Sequence, residues 1–348
     1  ELPPFSDEVE LVSMTGEMAS QYRSAESRIL QEAMKTLRDD RDPGGLSVWF
    51  NFCRFRPNSM FRPEVVSYDG KSGGGFAFDL PAVDGWLPKE QRLAEIIAEN
   101  ARRGRKTLVF AEQTGTRDIR HRMQRAIEEV GNPLAGRPLR VEVLSAGDMA
   151  PAKRMAWIEA NAPGMDALIV NPKLVETGLT LTMFSDIVFY EVTPSLYTLW
   201  QSMRRVWRLG QEKDVTTKFL AYAGTVEADI LQRMGKKMKY ASMLYGDSAA
   251  SVLESNDEDG SIQEEIIRAA LAGTLEDERQ AIPQVTRLFS AGDEKSVKVS
   301  TAITGSVVAA TPTLPVTLTE WGALKGVAVS ARRKAKKPVP EGQLSLGF

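Results

Sequence analysis

Two arginines three residues apart, Arg205 and Arg208, are the side chains of this sequence best suited to phosphoryl chemistry. They lie in the run Gln201-Ser-Met-Arg-Arg205-Val-Trp-Arg208-Leu-Gly-Gln211. A guanidinium is a fixed planar cation, matched to the charge that gathers on a transferring phosphoryl group. On a helix, the spacing of three puts both cations on one face. Trp200, Val206, Trp207 and Leu209 predict that this helix is half-buried, with the arginines confined to one side. Semi-buried arginines need anionic partners. Gly210, just past the second arginine, is placed to stop the helix. The pair alone would also suit a solvated basic helix end; the full spacing of glutamine, arginines and glycine favours chemistry.

The elements that must position this run alternate between strand and helix patterns over residues 86–225. Helix Leu87–Arg103 precedes strand Thr107–Ala111; helix Thr116–Val130 precedes strand Leu139–Leu144; helix Ala150–Ala160 precedes strand Ala167–Asn171. Strand Ile187–Glu191, helix Ser195–Trp207 and strand Thr217–Ala221 complete the series. Short unbroken apolar strands separated by such helices predict an α/β fold, a parallel sheet with helices on both faces. Its ligands are expected at the carboxyl ends of the strands.

The flanks differ. Residues 1–85 read as a mostly helical segment. Met18, Tyr22, Ala25, Ile29, Ala33 and Leu37 form an amphipathic stripe from Glu17 to Leu37, and Leu46–Arg56 reads as a second, buried helix. Ser67–Gly85 is rich in glycine and aspartate and reads as a loop. Residues 226–254 read as a further helix, Glu254–Gly260 as an acidic linker and Ser261–Leu275 as an accessory helix. The rest of 255–348 reads as a poorly structured C-terminal tail, basic at Arg332–Lys337.

Composition narrows the chemistry. One cysteine, Cys53, and one histidine, His121, supply neither a zinc site nor a Cys/His catalytic pair, so no metal site is expected from the chain itself. The single cysteine fits a reducing compartment, and no apolar run is long enough to span a membrane. A net charge of −2 leaves any nucleic-acid binding to local patches. Gly70-Lys71-Ser72 resembles the end of a phosphate-binding loop, but Val65 stands where that loop needs glycine and Gly73-Gly-Gly follows where a helix should begin. Asp7-Glu8 resembles a magnesium-binding pair, yet no buried strand precedes it, and a solvated pair is expected. Because the sequence begins at Glu1, it is expected to be part of a longer protein.

Gln201–Gln211 resembles the final arginine motif of superfamily-two helicases, especially the Swi/Snf-type DNA translocases. Further segments resemble the family in order. Leu2-Pro-Pro, Val9–Val12 and Gln21-Tyr22 are similar to the segment leaving the first motor lobe, and Phe50-Asn-Phe-Cys-Arg54 with Pro57 to the helix and proline turn that follow. Lys106-Thr-Leu-Val-Phe-Ala-Glu-Gln113 resembles the strand opening the second, RecA-like lobe. Leu168–Thr182 aligns with the family's glycine-bearing motif, Asp186–Glu191 with its next strand, and Val226–Leu244 with the helix bracing the two lobes.

The resemblance implies ATP and Mg2+ held mainly by a first motor lobe outside these residues, with Arg205 and Arg208 reaching that nucleotide and Gln201 positioning their helix. It implies nucleotide or interlobe roles for Gly178, Glu176 and Gln211. Gly178 would let the backbone approach a phosphate, although a plain turn glycine has the same spacing. DNA-backbone contacts are implied for Gln113, Thr114, Thr177 and Thr180. Lys106 ends the basic patch Arg102-Arg-Gly-Arg-Lys106, which reads either as a backbone contact or as a helix C-terminus favoured by the macrodipole. The implied protein is a duplex-DNA translocase acting in the cytoplasm at the nucleoid. A non-catalytic adaptor and a restriction-system helicase subunit are the alternatives. Val175-Glu176, Arg204 and Trp207 depart from the family's usual glycine pair, acid and histidine, and point to a divergent bacterial or mobile-element member. Finally, Gln343, Leu344, Leu346 and Phe348 resemble the short peptide with which bacterial proteins dock on a sliding clamp; a frayed apolar terminus is the alternative.

Overall fold

The computed structural model describes residues 2–71, 73–175, 178–245, 258–281 and 285–289. Chain order begins β1 (Phe5–Val12), α1 (Gly16–Asp40), α2 (Gly44–Ser59), β2 (Glu64–Asp69), β3 (Gly75–Leu80) and α3 (Pro88–Arg102). The alternating part continues with β4 (Thr107–Phe110), α4 (Arg120–Ala126), α5 (Asn132–Ala135), β5 (Val141–Leu144), α6 (Pro151–Asn161), β6 (Ala167–Val170), α7 (Pro172–Val175), β7 (Asp186–Phe189), α8 (Leu196–Met203) and β8 (Val215–Tyr222). Among the described residues three helices follow: α9 (Val226–Tyr245), α10 (Glu258–Ala272) and α11 (Leu275–Ala281). Among the described residues no helix is long and apolar enough to cross a membrane.

Six strands form one parallel sheet in the order β1-β8-β7-β4-β6-β5. The strand interiors are apolar on both faces because each face is covered. Leu108, Phe110, Leu168, Val170, Ile187 and Phe189 point into the core shared with α1, α2, α8 and α9. Their neighbours Val109, Ala111, Ala167, Ile169, Val188 and Tyr190 point into the core under α3 and α4. This is the two-residue alternation of a strand, with hydrophobic residues at every position.

The amphipathic stripe of α1 is buried as expected: Met18, Tyr22, Ala25, Ile29, Ala33 and Leu37 are all in the core. Thr15 caps this helix, its hydroxyl accepting the Met18 N–H. The helical reading of residues 1–85 needs correction in two places. Phe5–Val12 is a full edge strand of the sheet, paired residue for residue with β8. Residues 67–85, read as a loop, contain the second half of β2 and all of β3, which pair as an antiparallel hairpin. The glycines around Gly70 form its turn, where a Cβ on Gly70 would lie 1.8 Å from the Gly74 carbonyl oxygen. Among the described residues no helix N-terminus stands there to hold a phosphate.

Asp7 is likewise not solvated. It lies in β1, is 2% exposed, and accepts the backbone N–H groups of Leu288 and Phe289, while Val9 donates to the Thr286 carbonyl. The segment 285–289 thereby covers the outer edge of β1, which would otherwise present unpaired backbone groups. The expected helix Thr116–Val130 is broken. A single 3-10 turn (Gly115–Arg117) precedes α4, and a π turn (Ile127–Gly131) follows it.

Candidate functional site

The arginine run is carried on a turn rather than on a helix. Ser195 caps α8, accepting the Thr198 N–H, but the helix stops at Met203 and not at Trp207. Beyond it the hydrogen bonds mix spacings of three and four: Arg205 N–H reaches the Ser202 carbonyl, and the N–H groups of Val206 and Trp207 share that of Met203. Tertiary contacts explain why helix propensity loses here. The Arg205 carbonyl accepts the Leu181 N–H at 2.8 Å, and Val206 is fully buried. The Trp207 indole donates to the Pro3 carbonyl and packs on Phe5 at 4.9 Å between ring centroids. A continuing helix would satisfy none of these. Arg205 and Arg208 are thus not co-facial on a helix: Arg205 is half-buried and Arg208 exposed. Leu209, read as part of the buried side, is 74% exposed. Gly210 sits at φ +96°, allowing the turn rather than ending a helix.

Gln211 holds the turn closed. Its side-chain amide donates to the carbonyls of Phe184, Thr182 and Val206 at 2.7, 3.1 and 3.3 Å, and its oxygen accepts the Lys213 N–H. At 7% exposure its side chain is spent inward, as a strap of the turn. Thr180 faces outward between the buried Leu179 and Leu181, and its hydroxyl accepts from Arg208 Nη1 at 3.3 Å. Gly178 has φ +76° with open space around it, so it owes its identity to backbone conformation. Gln201 is half-buried in the last turn of α8. Glu176, Thr177 and the terminal Gln343, Leu344, Leu346 and Phe348 lie outside the described residues.

A second group gathers at the carboxyl ends of β4, β6 and β7. Gln113 and Thr114 follow β4, with Gln113 half-buried and Thr114 exposed. Their loop is held from below. Glu191, just past β7, accepts the backbone N–H groups of Glu112 and Gln113, both at 2.8 Å. Asn171, just past β6, donates to the Glu112 carbonyl at 2.5 Å. Arg54 of α2 pairs with the Glu112 carboxylate and donates to the Val192 carbonyl at 3.0 Å. Glu191 is 3% exposed, and burial, reinforced by the Glu112 and Glu227 charges, raises its pKa to about 7. Beneath lies a buried ion pair, Lys89 to Glu227 at 2.9 Å, with Asn58 donating to the same carboxylate at 2.6 Å. Sequence reasoning missed Arg54, Lys89, Asn171, Glu191 and Glu227 as a group. Asn171 and Glu191, polar residues just past apolar strands, offered a local signal; Arg54, Lys89 and Glu227 lie on helices, and their meeting depends on tertiary contacts.

Lys106 does not join this group. It precedes β4, so it stands at the opposite end of the sheet from Gln113, and its ammonium is tied to the Ala162 carbonyl. Within the same patch Arg103 pairs with Glu99 and Arg105 with Asp186, while Arg102 is exposed. The arginine turn is near that same amino end: Gln211 is followed by β8, and Trp207 meets the residues before β1. Among the described residues no group of three His, Cys, Asp or Glu side chains could hold a metal ion.

Residues 88–210 match the helicase conserved C-terminal domain. Solved structures similar to the chain include the C-terminal part of the Fun30 ATPase domain (14% identity, TM-score 0.47, 74% of this chain and 100% of that one). Another is the Sulfolobus solfataricus SWI2/SNF2 ATPase core in complex with dsDNA (18% identity, TM-score 0.44), of which 75% of this chain covers 50%. The matched residues run from α3 through the arginine turn, and so include the Gln113–Thr114 loop, Glu191 and Arg208.

Proposed function

We propose that this lobe works in an ATP-driven DNA translocase, completing an ATPase site whose nucleotide is held on a first motor lobe outside these residues. The observation that carries the reading is Arg208: an exposed guanidinium on a turn held by the inward bonds of Gln211, Arg205 and Trp207. A fixed cation facing outward suits charge that develops on a nucleotide bound elsewhere. Arg205 opens the same turn, and Gln201 lies in the end of α8 that leads into it. ATP and Mg2+ would be held chiefly by the other lobe. Gln113 and Thr114, and Thr180 beside Arg208, are the hydroxyl and amide groups offered to a DNA backbone, with Thr177 proposed on the family pattern alone. Such contacts position a duplex without reading its sequence.

Residues 1–348 alone are expected to hydrolyse ATP negligibly, with or without duplex DNA. Robust DNA-stimulated turnover by these residues would overturn the half-site reading. An adaptor that only recruits DNA would instead retain its function after Arg208→Ala. Gln343–Phe348 is proposed as a docking peptide for a bacterial sliding clamp, its apolar side chains entering a groove. A fluorescence-polarisation titration of that peptide against the clamp, flat across the concentration range, would remove this part.

A further inference from the structure

Glu191 has no place in the reading above, yet it is the one side chain that holds both backbone amides leading into the Gln113–Thr114 loop. A carboxylate accepting two N–H groups fixes the orientation of that peptide more tightly than one neutral acceptor does. The loop it fixes starts at the end of β4 and turns at Gly115, φ +70°. Its far side is tethered by Arg117 to Glu64 of β2 at 2.6 Å. From the geometry we infer that Glu191 is a positioning residue: ionised, it holds the Glu112–Gln113 backbone so that Gln113 and Thr114 present their side chains to a DNA phosphate, and protonated it releases them. This rests on the reading of Gln113 and Thr114 as phosphate contacts.

The surroundings make that carboxylate a switch near neutral pH. Burial is the main influence on it, and it is 3% exposed. Glu112, itself paired with Arg54 of α2, faces it from the loop. Glu227 of α9 faces it from beneath, and both acids favour the protonated form. Lys89 of α3 and the Gln113 N–H oppose them. Lys89 is largely occupied, since its ammonium donates to both Glu227 oxygens at 2.9 and 3.0 Å. The resulting pKa is about 7. Protonation weakens the carboxylate as an acceptor for both amides at once.

Two measurements on residues 1–348 test this. In amide-detected NMR, the Glu112 and Gln113 N–H resonances should titrate together with a midpoint near 7, and the titration should vanish in Glu191→Gln. Duplex binding, followed by fluorescence anisotropy, should weaken at least threefold between pH 8 and pH 6 in the native chain. In Glu191→Gln it should be weak and nearly constant. Amides that do not titrate overturn the proposal without needing any variant to fold. Amides that titrate while native chain and Glu191→Gln bind DNA equally at every pH also overturn it. Gln113→Glu separates the two layers: if this variant weakens binding, the contact reading stands whatever Glu191 does. If it leaves binding unchanged, the contact reading itself fails and the positioning role falls with it.

Discussion

The two ends of the sheet solve opposite problems with different kinds of residue. At the amino end, the turn Arg205–Gln211 keeps charge outside. Its supports are neutral, an amide, an indole and backbone carbonyls, and Arg208 remains exposed. At the carboxyl end, charge is kept inside: Glu191, Lys89 and Glu227 are buried, and what reaches the surface is the neutral pair Gln113 and Thr114. A strong cation can be held in place by weak neutral straps because it stays in water. A buried carboxylate needs paired charge and hydrogen bonds, since desolvation would otherwise neutralise it. The first arrangement suits acting on a charge that arrives from outside. The second suits setting the shape of a loop.

If that contrast is right, stability should depend mostly on the carboxyl end. Glu227→Ala strands the Lys89 ammonium in the core and removes the partner of Asn58, and should cost about 3–5 kcal/mol in urea unfolding. A cost under about 1 kcal/mol would show that the buried pair is not the keystone described. Gln211→Ala at the amino end leaves buried carbonyls without their donor and should cost about 1–3 kcal/mol. It should also loosen the arginine turn, visible as faster amide exchange at Leu181, whose N–H is held by the Arg205 carbonyl. Leu209→Ser, on the exposed tip of the same turn, should change stability by less than about 0.5 kcal/mol. A large loss there would mean that Leu209 is covered in the native protein.

The contrast extends to pH. A Glu191 carboxyl raised to about 7 binds a proton in the folded chain where the unfolded chain has already lost it. Its contribution is therefore fully present below its unfolded pKa and lost as pH rises through about 7. Thermal melts of the native chain should fall relative to Glu191→Gln between pH 5.5 and 8, and parallel curves would contradict the assignment.

Much of the fold was legible from local patterns. The α1 stripe, the apolar runs at β4, β6 and β7, and the alternation that implies a parallel sheet all depend on residues near one another in sequence. β1 was not legible because its alternation is broken by charged residues: the buried Asp7 finds backbone donors in segment 285–289, far away in sequence. The end of α8 was missed for a similar reason. Val206 and Trp207 continue a plausible helical face, and only the bonds to Leu181 and Pro3 show why the chain leaves it. Arg208 could be singled out by residue type and spacing, whereas Gln211 as strap and Glu191 as clamp depend on which backbone groups come within reach.

The central claim is that Arg208 acts on a nucleotide it does not itself hold. The direct test is Arg208→Ala in the full-length protein, with DNA-stimulated ATP turnover and equilibrium ATP binding measured on the same preparation. Turnover should fall by up to ~10³-fold or more, as losses of arginine fingers do, while ATP affinity stays largely intact. Unchanged turnover, or a loss of ATP affinity as large as the loss of turnover, would contradict the account.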